Sequence, residues 1–173
     1  MTAGSARDRF DFIPGALSTI RKVSDAGWHV FVVTNQSGIA RGHYTEAEFA
    51  ALSALMTDTI RAAGGTIDDL RYCPTHPEAP LPASRRANNW RKPGPGMLLD
   101  LLSHWRLNPA HCLLIGDQPT DLAAASAPGV PAHLFPGENL ADFVIPLLEA
   151  RSKARAPDPF KPATGKPLAC RMR

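Results

Sequence analysis

Cysteine is scarce in this chain of 173 residues: there are three, Cys73, Cys112 and Cys170, and no two stand in CxxC spacing. That excludes a disulfide framework and a sequence-evident metal cage, and it agrees with a reducing compartment, the cytoplasm. No apolar run approaches the roughly 18 to 20 residues of a membrane helix. The opening MTAGSARDRF also lacks the apolar stretch of a signal peptide, so no membrane partner is expected. Internal repeats are absent as well. A basic body is missing too, although the formal net charge is +3 and the pI about 9.0. Residues 151–173 hold seven Lys/Arg and one acid, a net of +6, which leaves −3 on residues 1–150.

The tail, RSKARAPDPFKPATGKPLACRMR, has four prolines and few aliphatic residues. It is expected to be a disordered basic extension, since burial cannot repay its ordering entropy. A basic tail can hold nucleic acid, but without aromatic interleaving or a basic face on the body that reading is set aside. The partner expected is a small molecule, and the chain a monomer.

Helices and buried strands alternate along residues 1–150. Pro14 starts a helix of about 12 residues that carries Leu17, Ile20 and Val23 to a stop at Gly27. Trp28 to Val33 is an apolar run of the kind covered on both faces of a parallel sheet, and it ends at Thr34-Asn35-Gln36-Ser37-Gly38. Thr45 and Glu48 have capping-box spacing ahead of a second helix that reaches Gly64-Gly65, and a short strand at Leu70 to Cys73 follows. Pro74 to Pro93 is a loop by composition. Helix signals resume at Pro95, then come an Asn108-Pro109 cap, a buried strand Cys112 to Ile115 ending at Gly116-Asp117, and an Ala-rich helix over 121–127. A strand at 132–135 and a helix over 140–150 complete an α/β body with a parallel sheet. Ligands of such sheets bind beyond the carboxyl ends of the strands, which singles out the TNQSG and GDQPTD turns.

In TNQSGIARG, the Thr34 hydroxyl and a glycine-bearing turn suit an oxyanion; a polar strand-to-helix turn is the plainer alternative. Arg91 and Lys92 precede a helix start where their charges and the N–H groups of Gly94 and Gly96 can meet a phosphate; a solvated basic pair is the alternative. Asp117 ends a strand in a position that suits Mg2+, which prefers hard oxygen donors and few protein carboxylates. Asp121 reads equally as a metal ligand or as charge for a helix N-terminus.

TNQSGIARG, CPTHP, RKPGPGM and LLIGDQPTDLAAA, in this order, resemble the haloacid dehalogenase (HAD) superfamily, in its D-glycero-D-manno-heptose 1,7-bisphosphate phosphatase and histidinol-phosphate phosphatase branch. The resemblance covers about residues 10–150 and implies a Rossmann-like three-layer α/β sandwich and a Mg2+-dependent phosphatase acting on a phosphorylated sugar. Heptose bisphosphate is favoured over histidinol phosphate by TNQSGIARG and RKPGPGM. A non-catalytic phosphate-binding relative is the alternative from another class. By this resemblance Thr34 hydrogen-bonds the transferring phosphoryl group, and Lys92 stabilises charge on it and on the nucleophile. Asn35, Gln36 and Ser37 contact the substrate phosphate, Arg91 recognises substrate, and Asp117 with the backbone oxygen of Gln118 binds Mg2+. Such roles suit phosphoryl transfer, which depends on positioning and on cations around the equatorial oxygens.

Two departures stand beside these matches. Relatives open with an apolar strand running into DxDG, whose first Asp forms an aspartyl-phosphate and whose second is the general acid/base. Asp8 and Asp11 have neither that strand nor that spacing, so the nucleophile is expected to be absent, the missing element N-terminal to residue 1, and the chain inactive as it stands. In the family that strand is central, and its five or six buried residues are together worth about 8 to 15 kcal/mol. Second, where relatives hold a structural Zn2+ through CxH and CxC, this chain reads Cys73-Pro74-Thr75 and Asn88-Asn89-Trp90. One thiolate makes no tetrahedral site, so no structural zinc is expected, and contacts within the loop, from Trp90 among others, replace it.

Overall fold

The computed structural model describes residues 10–80, 84–85, 88–154 and 168–171. Its elements in chain order are α1 (Ala16–Asp25), β1 (His29–Asn35), α2 (Ser37–Ala40), α3 (Glu46–Ala62), β2 (Asp69–Cys73), α4 (Gly96–His104), a 3-10 turn (Pro109–His111), β3 (Cys112–Gly116), α5 (Pro119–Ser126), β4 (Ala132–Leu134), α6 (Leu140–Ala154) and β5 (Leu168–Arg171).

Local chemistry sets most of these boundaries as expected. Thr45 Oγ1 accepts the Glu48 N–H at 3.1 Å while a Glu48 carboxylate oxygen accepts the Thr45 N–H at 2.7 Å, a closed capping box that starts α3. Asn108 Oδ1 accepts the Ala110 N–H at 3.0 Å and opens the 3-10 turn with Pro109 at its start. β1 runs two residues beyond the apolar stretch, because Thr34 and Asn35 stay in register with Tyr72 and Cys73 of β2. Backbone pairing, not side-chain hydrophobicity, carries the strand into its polar end.

All pairings are parallel, in the order β2-β1-β5-β3-β4. Successive residues of β1 and β3 feed opposite layers of the core. Phe31, Val33, Cys112 and Leu114 pack with Met97, Leu98 and Leu101 of α4 and with Ala124 and Ala125 of α5. Val30, Leu113 and Ile115 pack with Ile20 and Val23 of α1, Ile60 of α3, and Val144 and Leu148 of α6. This is the expected three-layer sandwich, and β3 is buried at all five positions because helices cover both its faces.

One expectation is corrected. Residues 151–173 do not all lie outside the fold: α6 reaches Ala154, and Leu168–Arg171 is the central strand of the sheet. His29 to Val32 pair with 168–171 on one side and Cys112 to Ile115 pair on the other. The slot expected to lack its strand is therefore filled. Two buried strands flanking a gap would strand their inward N–H and C=O groups, and satisfying both rows outweighs the weak strand signal of this segment. The rest of the tail lies outside the described residues. Among the described residues, no helix is long and apolar enough to cross a membrane.

Candidate active site

After β1 the chain moves outward to β2, and after β3 outward to β4, so the order reverses across the centre of the sheet. The crevice at such a reversal, at the carboxyl ends of the strands, holds TNQSG on one side and GDQPTD on the other. Thr34 is 3% exposed at the end of β1, and Asp117 is exposed just past β3.

Lys92 joins the two turns. Its side chain is buried, with Nζ 2.7 Å from Asp121 Oδ1 and donating to the Val33 carbonyl at 3.2 Å. Asp121 is 1% exposed, and its other oxygen accepts the N–H groups of Asp117 and Gln118, each at 3.0 Å. Oδ1 has no other partner among the described residues, so the ammonium is what compensates it. Asp121 thus serves the start of α5 through one oxygen and pairs with the Lys92 ammonium through the other. A Cβ at Gly116 would lie 2.3 Å from the Asp121 Cβ, so the glycine of GDQPTD makes room for this carboxylate. Asn35 holds the main chain of Lys92 from the other side: its Nδ2 donates to the Lys92 carbonyl at 3.0 Å and its Oδ1 accepts the Lys92 N–H at 3.1 Å.

Around β1 the contacts are neutral. Gln36 Nε2 donates to Thr34 Oγ1 at 2.9 Å, and the Tyr44 hydroxyl donates to Gln36 Oε1 at 2.6 Å. Arg91 spans the mouth, donating to Ser37 Oγ at 3.1 Å and to the Thr75 carbonyl at 3.3 Å. Its backbone is set by Asn88, whose Oδ1 accepts the N–H groups of Trp90 and Arg91 and whose Nδ2 donates to Thr75 Oγ1. The Trp90 indole N–H donates to the Tyr72 carbonyl at 2.8 Å, and Cys73 Sγ lies 3.4 Å from Thr75 Oγ1. The loop-internal contacts expected around Trp90 are therefore present.

The glycines of RKPGPGM depart from expectation. The Gly94 N–H donates to the Arg91 carbonyl and the Gly96 N–H to the Asn89 carbonyl, both at 2.7 Å, so neither is aimed at a phosphate. A Cβ at either position would lie within 2.6 Å of the Asn89 carbonyl oxygen, so these glycines serve a tight turn.

The donor set fits Mg2+ in part. Asp117 offers an exposed carboxylate at the strand end, and the Gln118 carbonyl, which accepts the Asp121 N–H at 2.9 Å, keeps a second lone pair. Mg2+ is commonly held by one or two carboxylates and waters, so Asp117 with Gln118 suits it. Among the described residues, no group of three or more His, Cys, Asp or Glu side chains is placed to hold a metal.

Comparison with known proteins decides the family. A D-glycero-β-D-manno-heptose-1,7-bisphosphate 7-phosphatase of Rhodopseudomonas palustris is 43% identical over 148 residues, covering 86% of this chain and 82% of the relative. The chain belongs to the HAD superfamily, in its heptose-bisphosphate phosphatase family. A HAD-hydrolase-like family model matches residues 89–139, from the loop before Lys92 past α5 and β4. A HAD-like phosphatase of Mesorhizobium loti superposes with a TM-score of 0.75 at 28% identity, over 90% of this chain and 80% of the other. The heptose 1,7-bisphosphate phosphatase of B. bronchiseptica, solved with magnesium and phosphate, superposes with a TM-score of 0.68 at 28% identity, over 93% and 79%.

In this crevice Thr34, Lys92, Asp117 and Gln118 stand near the strand ends, with Arg91 and Ser37 bonded to each other beside them. Asn35 and Gln36 are also there, but their carboxamides are engaged with Lys92 and with Thr34 and Tyr44. Sequence reasoning missed Tyr44. Its signal is indirect: a Cβ at Gly38 would lie 2.2 Å from the Tyr44 ring, so the glycine after Ser37 marks a side chain laid across the turn.

Proposed function

We propose that this is the site of a Mg2+-dependent phosphatase that takes the 7-phosphate of D-glycero-D-manno-heptose 1,7-bisphosphate. One observation carries the reading. Among the described residues the buried Lys92 ammonium spends two of its three N–H groups, on Asp121 and Val33, and stands between two polar strand ends with one donor left for an anion. Thr34 donates to a phosphoryl oxygen, Lys92 balances its charge, and Arg91 with Ser37 recognises the outer part of the substrate. Asp117 and the Gln118 carbonyl would hold Mg2+, which when bound supplies positive charge against the phosphoryl oxygens. A cytoplasmic location, supported by the buried free thiols of Cys73 and Cys112, and a monomeric state complete the reading.

The central strand β5 reads Leu-Ala-Cys-Arg and brings no carboxylate to accept a phosphoryl group. On this reading the chain binds substrate without turning it over, as expected from the lack of a DxDG element in its sequence. Calorimetric titration with heptose 1,7-bisphosphate, with and without Mg2+, tests both halves when phosphate release is followed alongside. The expected result is saturable binding strengthened by Mg2+, weaker binding of histidinol phosphate, no phosphate release, and loss of the Mg2+ effect in Asp117→Ala. Absence of saturable binding would overturn the reading of the site. Turnover at the rates of its relatives would overturn the expectation of inactivity.

A further inference from the structure

The Arg91 guanidinium is anchored to two separate elements. Nη2 donates to Ser37 Oγ at the start of α2 at 3.1 Å, and Nη1 donates to the Thr75 carbonyl just past β2 at 3.3 Å. Both acceptors are neutral, and among the described residues Arg91 forms no salt bridge. Its charge is therefore held in place without being cancelled, and donors remain on the guanidinium for an anion.

Asn88 completes this arrangement. Its Oδ1 accepts the N–H groups of Trp90 at 3.1 Å and Arg91 at 3.0 Å, and its Nδ2 donates to Thr75 Oγ1 at 3.1 Å. Main-chain N–H groups only donate, so the carboxamide oxygen must face them and the nitrogen must face Thr75. A ring results: the Asn88 side chain bonds the Thr75 side chain, the Thr75 carbonyl bonds the Arg91 guanidinium, and the Arg91 main chain bonds Asn88. Arg91 is thereby gripped at both ends. Lys92, the next residue, has its own grip, because Asn35 bonds its main-chain N–H and carbonyl. The two neighbouring cations are thus positioned by different side chains.

Ordering a long side chain at the moment of binding costs conformational entropy, and one already held in place has that cost behind it. We propose that Asn88 and Thr75 are positioning residues that hold the Arg91 guanidinium ready for the outer part of the substrate. They set affinity for that part and leave the contact of Lys92 with the phosphoryl group unchanged. The inference rests on the reading of Arg91 given under the proposed function. No motif signals the pair, whose side chains meet across 13 residues of sequence. Asn88 is exposed, so its substitution breaks the ring without opening the core.

Two ligands and one relaxation measurement on the whole chain test this. Calorimetric titration in excess Mg2+ compares heptose 1,7-bisphosphate, which has an outer part, with inorganic phosphate, which has none. Arg91→Ala is expected to bind the bisphosphate about tenfold or more weakly and phosphate like the parent. Asn88→Ala is expected to lose about threefold to tenfold for the bisphosphate alone, the scale of one modest hydrogen bond. The double variant should bind no more weakly than Arg91→Ala, since Asn88 acts through Arg91. Thr75→Val should follow Asn88→Ala, while Thr75→Ser, which keeps the acceptor, should match the parent. Relaxation of Arg91 15Nε reads the side chain without a ligand: it should be as rigid as the neighbouring main chain in the parent and gain fast motion in Asn88→Ala.

Parent-like bisphosphate affinity in Arg91→Ala would overturn the reading of Arg91 itself, and with it the role of its anchors. If Arg91→Ala weakens bisphosphate binding while Asn88→Ala and Thr75→Val do not, the positioning role alone is overturned. Equal losses for both ligands in Asn88→Ala also overturn it, as does a lowered melting midpoint with affinities and Arg91 relaxation unchanged.

Discussion

The turn after β3 and the turn after β1 face each other across one crevice and are held by different forces. The first is organised by a buried ion pair, Lys92 with Asp121, whose carboxylate also gathers two backbone N–H groups. The second is a chain of neutral hydrogen bonds that runs from the buried Thr34 through the half-buried Gln36 to the half-buried Tyr44. Damage to a buried charge is costly because the abandoned partner cannot be resolvated, whereas a broken neutral bond near water is largely replaced. The β3 turn should therefore answer mutation with loss of stability, and the β1 turn with loss of function.

The largest expected effect is that of Lys92→Ala, which leaves the Asp121 carboxylate buried without its counter-charge. It is expected to lower unfolding free energy by about 3–5 kcal/mol. Urea denaturation of the variant measures this, and a loss under about 1 kcal/mol would show that Asp121 is rescued by water or neutralised. The double variant Lys92→Met with Asp121→Asn removes both charges, and it should be more stable than Lys92→Ala.

Glycine substitutions sharpen the contrast. A Cβ at Gly116 would meet the Asp121 Cβ at 2.3 Å, and one at Gly38 would meet the Tyr44 ring at 2.2 Å. The clashes are similar in size, but Asp121 is fixed in the core at 1% exposure while Tyr44 can swing toward solvent. Gly116→Ala is expected to cost about 1–3 kcal/mol by overpacking. Gly38→Ala should cost less than Gly116→Ala in the same melts. Equal losses would erase the distinction between the two turns.

The same contrast marks what could be read from the sequence. Apolar period and end signals placed α1, α3, α4, α6, β1 and β3, because each depends on residues near in sequence. β5 was illegible: Leu168 to Arg171 sits in a proline-rich basic stretch without alternation, and its place is decided by the strands on either side. In the site, the resemblance identified the residues at the strand ends but not their partners. Nothing local to Asn35 shows that it grips Lys92, which is 57 residues away in sequence, and nothing local to Asp121 chooses between a metal and an ammonium. The Gly94 and Gly96 N–H groups were misread for the same reason, since the carbonyls that take them become available only when the loop folds back on itself.

The loop between β2 and α4 lies outside both turns yet carries Arg91 to the mouth, and it tests whether neutral contacts can hold such a segment. Cys73, Thr75 and Asn88 occupy the positions discussed for zinc, and the Trp90 indole closes the loop onto the Tyr72 carbonyl at 2.8 Å. Trp90→Phe keeps an aromatic ring and deletes that donor, leaving a part-buried carbonyl without it. A loss of about 1 kcal/mol is expected, comparable to other single neutral hydrogen bonds. Treatment of the parent chain with a chelator is expected to leave its melting midpoint unchanged, because the contacts described hold the loop without a metal. A chelator-induced drop, together with stoichiometric zinc in the untreated protein, would show instead that the loop follows the rule of the β3 turn, with charge and its compensation setting its stability.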